Sequence, residues 1–394
     1  MELANHLEIH EIENNYFLVQ HIANQKYVKL GTREVEFLQL LTNEEDLKSA
    51  EDQYTGSLTE VERAFLFDKF SEWGFLDRSP IQADEQEKKW KFNWKIDDIT
   101  TIKFLSINPD QWLTSMLPVI RTLLHPIAIV IYTFLILSAG VLLVNDQTIL
   151  TALSINQLGI GSYITIYIML LMTTVVHEIA HGMVCKHYGG RVKQMGAMLF
   201  YLSPAMFCDV SDTYKFKKKS HKLAVLFAGI YSQWIMTSIA LVIYYTLASF
   251  QMHIPVLFFY GMANLGLSII NMLPLVKLDG YWMLSHGLGI VNLRTKAFHA
   301  FFKLITPWKR NRQSKESTTV HGSTSTSWKE QSILLTYGFA AVIFAPFFWG
   351  WGLYSIQQRL YSFLGGVSFL ITAAIACVLL YHGTKFIIKM NKAV

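Results

Sequence analysis

The stretch Gly161–Cys185, GSYITIYIMLLMTTVVHEIAHGMVC, decides the fold class. Gly161 to Val176 carries no charge and makes about 24 Å of helix at 1.5 Å per residue. Five further segments resemble it in length and apolarity, near 124–144, 223–248, 254–273, 333–356 and 364–388. Each has about 20 or more residues, enough to cross a hydrocarbon core of about 30 Å. The expectation is an α-helical polytopic membrane protein with about six transmembrane helices. The composition agrees: 52% of the 394 residues are hydrophobic and only 16% charged, against about 25% in soluble globular chains. The mean hydropathy is +0.29. That excludes a disordered chain and an ordinary soluble enzyme. Three cysteines without CxxC spacing exclude a disulfide scaffold.

Charge orients the segments. Residues 1–116 hold 12 Lys and Arg against 22 Asp and Glu, while residues 117–394 hold 22 against 7. The basic residues cluster in 188–222, in 274–332 and at the end of the last segment, and they are nearly absent from the alternate connections. The positive-inside rule then gives six crossings of the cell membrane with both termini cytoplasmic. No nucleic-acid motif accompanies the positive half, so its partner is the lipid bilayer. The first residues, MELANHLEIHEIENN, carry early acids and no apolar run, unlike a signal peptide.

Three regions follow along the chain: 1–80, a small cytoplasmic α+β domain; 81–116, a charged linker; and 117–394, the membrane domain. In the first, Tyr16–Val19 and Tyr27–Leu30 are short β-prone runs. Val35, Leu38 and Leu41 then recur at helical spacing. Thr59-Glu60-Val61-Glu62 is a capping box opening a helix that carries Val61, Phe65 and Phe70 and ends near Gly74. Gln194–Val210 is apolar but short, and basic clusters flank it, so it reads as a partly buried hairpin or re-entrant loop. Residues 309–331 are polar and Ser/Thr-rich and read as a flexible cytoplasmic loop.

The chemistry begins at His177-Glu178-Ile179-Ala180-His181. Positions i and i+4 share one helix face, so two imidazoles there can hold one Zn²⁺. Glu178 is placed to take a proton from metal-bound water. An acid and two histidines in an apolar span are functional by default, because an unpaired charge there costs about 2.5 kcal/mol or more. Catalytic zinc needs a third protein ligand. Asp279 leads, in NMLPLVKLDG (271–280), ahead of Asp209, Asp212 and His187. Helix rise puts His177 near the cytoplasmic end of its span, and Asp279 lies just past the inner end of the fourth.

HEIAH on one membrane helix with N-x-x-P-x-x-x-L-D-G on a later one resembles the site-2 protease family of intramembrane zinc metalloproteases. The resemblance covers about 161–285, the expected protease core. It implies a three-helix core, one Zn²⁺ per chain, His177, His181 and Asp279 as ligands, Glu178 as general base, and Asn271 as a substrate or transition-state contact. Members often carry A-G-P-x-x-N between the motifs; this chain has Ala228–Gln233, AGIYSQ, with Gly229 kept. FCDVSDTYKF (207–216) and NMLPLVKLDGYW resemble the peptide zinc metalloproteases of ribosomal peptide maturation systems. Asp209 in that stretch is a further substrate-contact candidate. Residues 10–80 are similar to PqqD-like peptide-recognition domains, whose edge strand would take a leader peptide. The implied activity is endoproteolysis of a precursor peptide, with peptide-maturation or export proteins as partners. The alternatives are regulated cleavage of a membrane-bound signalling protein and a non-catalytic export or immunity subunit.

Overall fold

The computed structural model describes residues 7–12, 16–21, 27–43, 50, 53–76, 95–98, 101–146, 158–200, 203–290, 292–305 and 328–393. These divide into two units, residues 1–287 and 288–394. The charged stretch 81–94 and most of the polar loop expected at 309–331 lie outside the described residues.

The first unit opens with an antiparallel sheet of β1 (Leu7–Ile12), β2 (Tyr16–His21) and β3 (Tyr27–Gly31) in that order. The sequence reading lacked β1, whose acidic alternation (LEIHEI) hides its apolar face. Helix α1 (Thr32–Asn43) follows β3 directly. It buries Val35, Phe37, Leu38 and Leu41 against Leu7, Val19 and Leu30 of the sheet. Helix α2 (Glu60–Glu72) starts at the capping box: Thr59 Oγ1 accepts from Glu62 N at 3.3 Å, and the Glu62 carboxylate accepts from Thr59 N at 2.8 Å. These bonds satisfy two of the free donors at a helix start. Phe70 is buried, whereas Val61 and Phe65 are 57% and 42% exposed. Gly74 ends the turn with φ 75°, a left-handed conformation that favours glycine.

Residues expected as plain linker form strands. β4 (Lys95–Asp98) and β5 (Thr101–Ile107) join β6 (Met195–Phe200) and β7 (Ser203–Cys208) in an antiparallel sheet of order β4-β5-β6-β7. The hairpin expected within 194–210 is therefore half of a four-stranded sheet. Pairing between residues a hundred positions apart leaves no local signature. Short helices α3 (Asp110–Ser115) and α4 (Leu117–Leu123) come next. The Asp110 carboxylate accepts from Lys186 Nζ at 2.8 Å and from Val192 N at 3.0 Å, tying α3 to the turn before β6.

The long helices are α5 (Pro126–Asn145), α6 (Ile160–His187), α7 (Lys219–Ser249) and α8 (Pro255–Met272). α7 packs along α6, α8 and α5, and α6 also touches α8. Apolar helices gain little from each other in lipid, so close packing and hydrogen bonds hold such groups together. Gly261 of α8 lets the helix approach Leu241 of α7, and Thr133 of α5 meets Tyr231 of α7 at 3.0 Å between hydroxyls. Beneath the site, Leu113, Ile120, Val184, Cys185, Val192 and Val225 form one buried cluster. Helix α9 (Asp279–Leu288) follows α8 after a short turn.

The second unit contains α10 (Leu293–Ile305), α11 (Trp328–Leu364) and α12 (Val367–Ala393). α11 starts within the expected flexible loop and runs on through Pro346. Among the described residues, five helices are long and apolar enough to cross a membrane: α5, α6, α7, α8 and the Trp328–Gln358 part of α11. The sixth expected segment falls on α12, whose apolar part, Val367–Tyr381, is shorter.

Candidate metal centre

α6 carries His177 and His181 one turn apart, at 6% and 4% exposure. Their Nε2 atoms lie 3.0 Å from each other, with the rings edge-to-face at 85°. Asp279, the first residue of α9, brings Oδ2 to 2.9 Å from His177 Nε2 and 3.4 Å from His181 Nε2. One ligand atom from each of the three residues lies within 4.8 Å of the others. Of the acids and histidines that spacing left open, this one meets the imidazoles. Asp209 instead accepts from Ser211 N at 3.0 Å and from its hydroxyl, Asp212 accepts from Arg191 N at 3.0 Å, and His187 packs edge-on against Tyr188.

Neighbouring backbone arranges the ligands. His181 Nδ1 lies 2.7 Å from the Val225 carbonyl oxygen on α7, so its N–H donates there. That leaves the Nε2 lone pair of the neutral ring facing His177 and Asp279. One turn further along α7 is Gly229, the one glycine of that helix. A Cβ built there would lie 2.5 Å from Cε1 and Nε2 of His177 and from Nε2 of His181. The α7 backbone thus leaves a cradle between the imidazoles that any side chain would fill. Gly280 does the same for Asp279: a Cβ there would stand 2.1 Å from the Met272 carbonyl oxygen, so glycine lets α9 start against the end of α8.

The donor set, two imidazole nitrogens and one carboxylate oxygen, is one that zinc takes in catalytic sites with an open fourth position. The cradle at Gly229 and the tautomer imposed on His181 fit such an ion. His177 Nδ1 is buried without a hydrogen-bond partner among the described residues, and the ring packs edge-to-face against His181.

Glu178 follows His177 on α6, and α6 packs against β7. Asp209 N donates to Gln194 O at 2.8 Å, and Cys208 opposes Met195. In an antiparallel ladder the alternate residues, Cys208, Met206 and Pro204, then point their backbone groups away from β6. Cys208 packs on Gly182 of α6, and burial holds its thiol well above the ordinary range. The third-ligand helix is braced from outside by Tyr214, whose ring lies 4.9 Å from that of His286.

Asn271, near the end of α8, donates from Nδ2 to Gln233 Oε1 of α7 at 3.2 Å. Sequence reading had Gly229 as the glycine kept between the two motifs, and it missed the Val225 carbonyl, a backbone group that leaves no signal in the sequence.

Over 133 residues, 34% of this chain, the sequence is 24% identical to a Bacillus subtilis (strain 168) protein. That protein is named "Putative peptide zinc metalloprotease protein YydH". The likeness spans about half (51%) of that protein's own length. No protein-family model matches the chain. No solved structure matches it either.

Proposed function

We propose that this chain is a membrane-embedded zinc endopeptidase of the site-2 protease type that cuts a precursor peptide near the cytoplasmic membrane face. The observation that carries the reading is the meeting of Asp279 with His177 and His181, which share with Glu178 a helix long and apolar enough to cross a bilayer. His177 Nε2, His181 Nε2 and Asp279 Oδ2 are the atoms that would hold the ion. Bound there, zinc polarises a scissile carbonyl and lowers the pKa of a water molecule toward about 7.

The chain's own groups do the rest. The Glu178 carboxylate takes the proton of the attacking water and hands it to the leaving amine. An intact helix hides its carbonyls, so the substrate must be extended at the cut. The outer edge of β7, which packs on α6, offers Met206 N–H and C=O and the Pro204 C=O to such a strand. Pro204 lacks an N–H, in keeping with an edge position.

Residues 1–80 are the part we assign to substrate recognition, as a PqqD-like domain that takes a leader peptide. The −10 balance of residues 1–116 favours a basic leader. The membrane domain begins near 117, crosses the cell membrane about six times and keeps both termini in the cytoplasm.

The test compares cell and medium peptidomes of the native host carrying wild-type or Glu178→Gln protein at equal levels. The expected result is loss of specific fragments and accumulation of an uncut precursor, with zinc still bound to the variant. Matching peptidomes, under conditions where deletion has a phenotype, would overturn the proposal.

A further inference from the structure

Beside the metal centre, α7 and α8 share a second group of polar side chains buried inside apolar helices. Gln233, Thr237 and Asn264 are almost fully buried. Asn264 Nδ2 donates to the Gln233 backbone carbonyl at 3.0 Å and to Thr237 Oγ1 at 3.1 Å. Both Nδ2 hydrogens are thereby used, so Asn264 Oδ1 is the acceptor that faces Gln233 Nε2 at 3.5 Å. With its Nε2 turned to Asn264, Gln233 presents Oε1 to Asn271 Nδ2 at 3.2 Å. Each amide sets the orientation of the next, and the direction runs from Asn264 through Gln233 to Asn271.

Helix–helix adhesion explains part of this. Hydrogen bonds between apolar helices hold them together, and Trp234 Nε1 donating to Ser268 Oγ at 3.1 Å serves that purpose nearby. Adhesion does not explain why the chain of amides ends where it does. Gln233 lies one turn beyond Gly229, the residue that cradles both imidazoles. Asn271 precedes Met272, whose carbonyl abuts Gly280 beside Asp279. The last amide is thus anchored between the two supports of the metal ligands. Asn271 is only half-buried, and its bond to Gln233 leaves its carbonyl oxygen and one N–H for another partner. That pair is complementary to a peptide group.

We infer that Asn264 and Gln233 are positioning residues that hold the Asn271 carboxamide toward the metal centre, where it takes the backbone of an extended peptide. The inference rests on the zinc endopeptidase reading with Asn271 as its substrate contact, and adds the residues that set that contact. Asn264 acts only through Gln233. Gln233 acts by fixing which end of Asn271 faces the peptide.

The experiment measures two zinc-directed probes on full-length, zinc-loaded protein in detergent micelles. Acetohydroxamate reads the ion alone. A hydroxamate carrying a leucyl-alanyl dipeptide reads the ion and the backbone subsite. Wild-type protein is expected to prefer the dipeptide probe. In Asn264→Leu and Gln233→Met, zinc content and acetohydroxamate affinity stay as in wild type, while the dipeptide preference falls about tenfold, the worth of one or two hydrogen bonds. Asn271→Leu loses the same preference, and combining it with Asn264→Leu adds nothing. Thr237→Val removes a single acceptor and is the milder variant if Asn264→Leu does not fold; it lowers the preference about threefold. A merely structural role would move both probes together. An unchanged dipeptide preference in zinc-retaining variants overturns the inference. Failure of acetohydroxamate to bind wild-type protein overturns the metal-centre reading itself, and this one with it.

Discussion

Replacing Gly229 by alanine adds one methyl group where α7 meets both imidazoles. The new Cβ would lie 2.5 Å from two atoms of His177 and one of His181, where ordinary contact is 3.4–4 Å. One helix or both rings must move by about 1 Å, while a zinc site holds its ligand distances to within about 0.2 Å. The same substitution improves α7 as a helix, because alanine is favoured over glycine by about 1 kcal/mol in a helix interior. Folding and metal binding are therefore expected to separate. Zinc affinity should fall at least about a hundredfold, or about 2.7 kcal/mol, while the metal-free protein loses at most about 2 kcal/mol, an overpacking cost of about 1–3 kcal/mol offset in part by the helix gain. The assay is zinc content by mass spectrometry after dialysis against graded chelator, beside unfolding of the metal-free protein. Gly140→Ala in α5 is the control, since a Cβ there meets nothing within 4 Å. A Gly229→Ala protein that keeps zinc with wild-type affinity would refute the cradle.

Further substitutions separate the roles of the remaining residues. Asp279→Ala should lose zinc, whereas Glu178→Gln should keep it and lose hydrolysis; metal analysis and peptide mapping distinguish the two. Met206→Pro removes an N–H that points away from β6, so the sheet should survive while peptide turnover drops about fivefold to tenfold, the worth of one hydrogen bond; equal loss of unfolding stability would instead mean that the N–H belongs to the fold. Burial and the nearby Lys222 push the His286 imidazole down to about 4 from an ordinary 6.5. The unfolded chain then binds the extra proton between those values, so stability falls as pH drops from about 6.5 toward 4, by up to about 3 kcal/mol. In metal-free His286→Phe protein, denaturant midpoints measured across that window should lose this slope.

Much of the site was written in short-range pattern. The HEIAH spacing needs only the 3.6-residue turn to put two imidazoles on one face, and the capping box at Thr59 needs only four consecutive residues. Span lengths and the basic clusters likewise depend on local composition, because each membrane helix satisfies its own backbone. The fold decided what depends on distant chain segments meeting. Asp279 joins His181 from 98 residues away, through a turn made possible by Gly280, and spacing alone left Asp209, Asp212 and His187 in competition with it. Gly229 and the Val225 carbonyl act through backbone, which carries no side-chain signal. β5 pairs with β6 across about ninety residues, so the apparent linker became half of the sheet whose far strand packs on α6. Helical periodicity is local and therefore legible in the sequence; strand partners, close backbone approaches and the third ligand are set by tertiary packing.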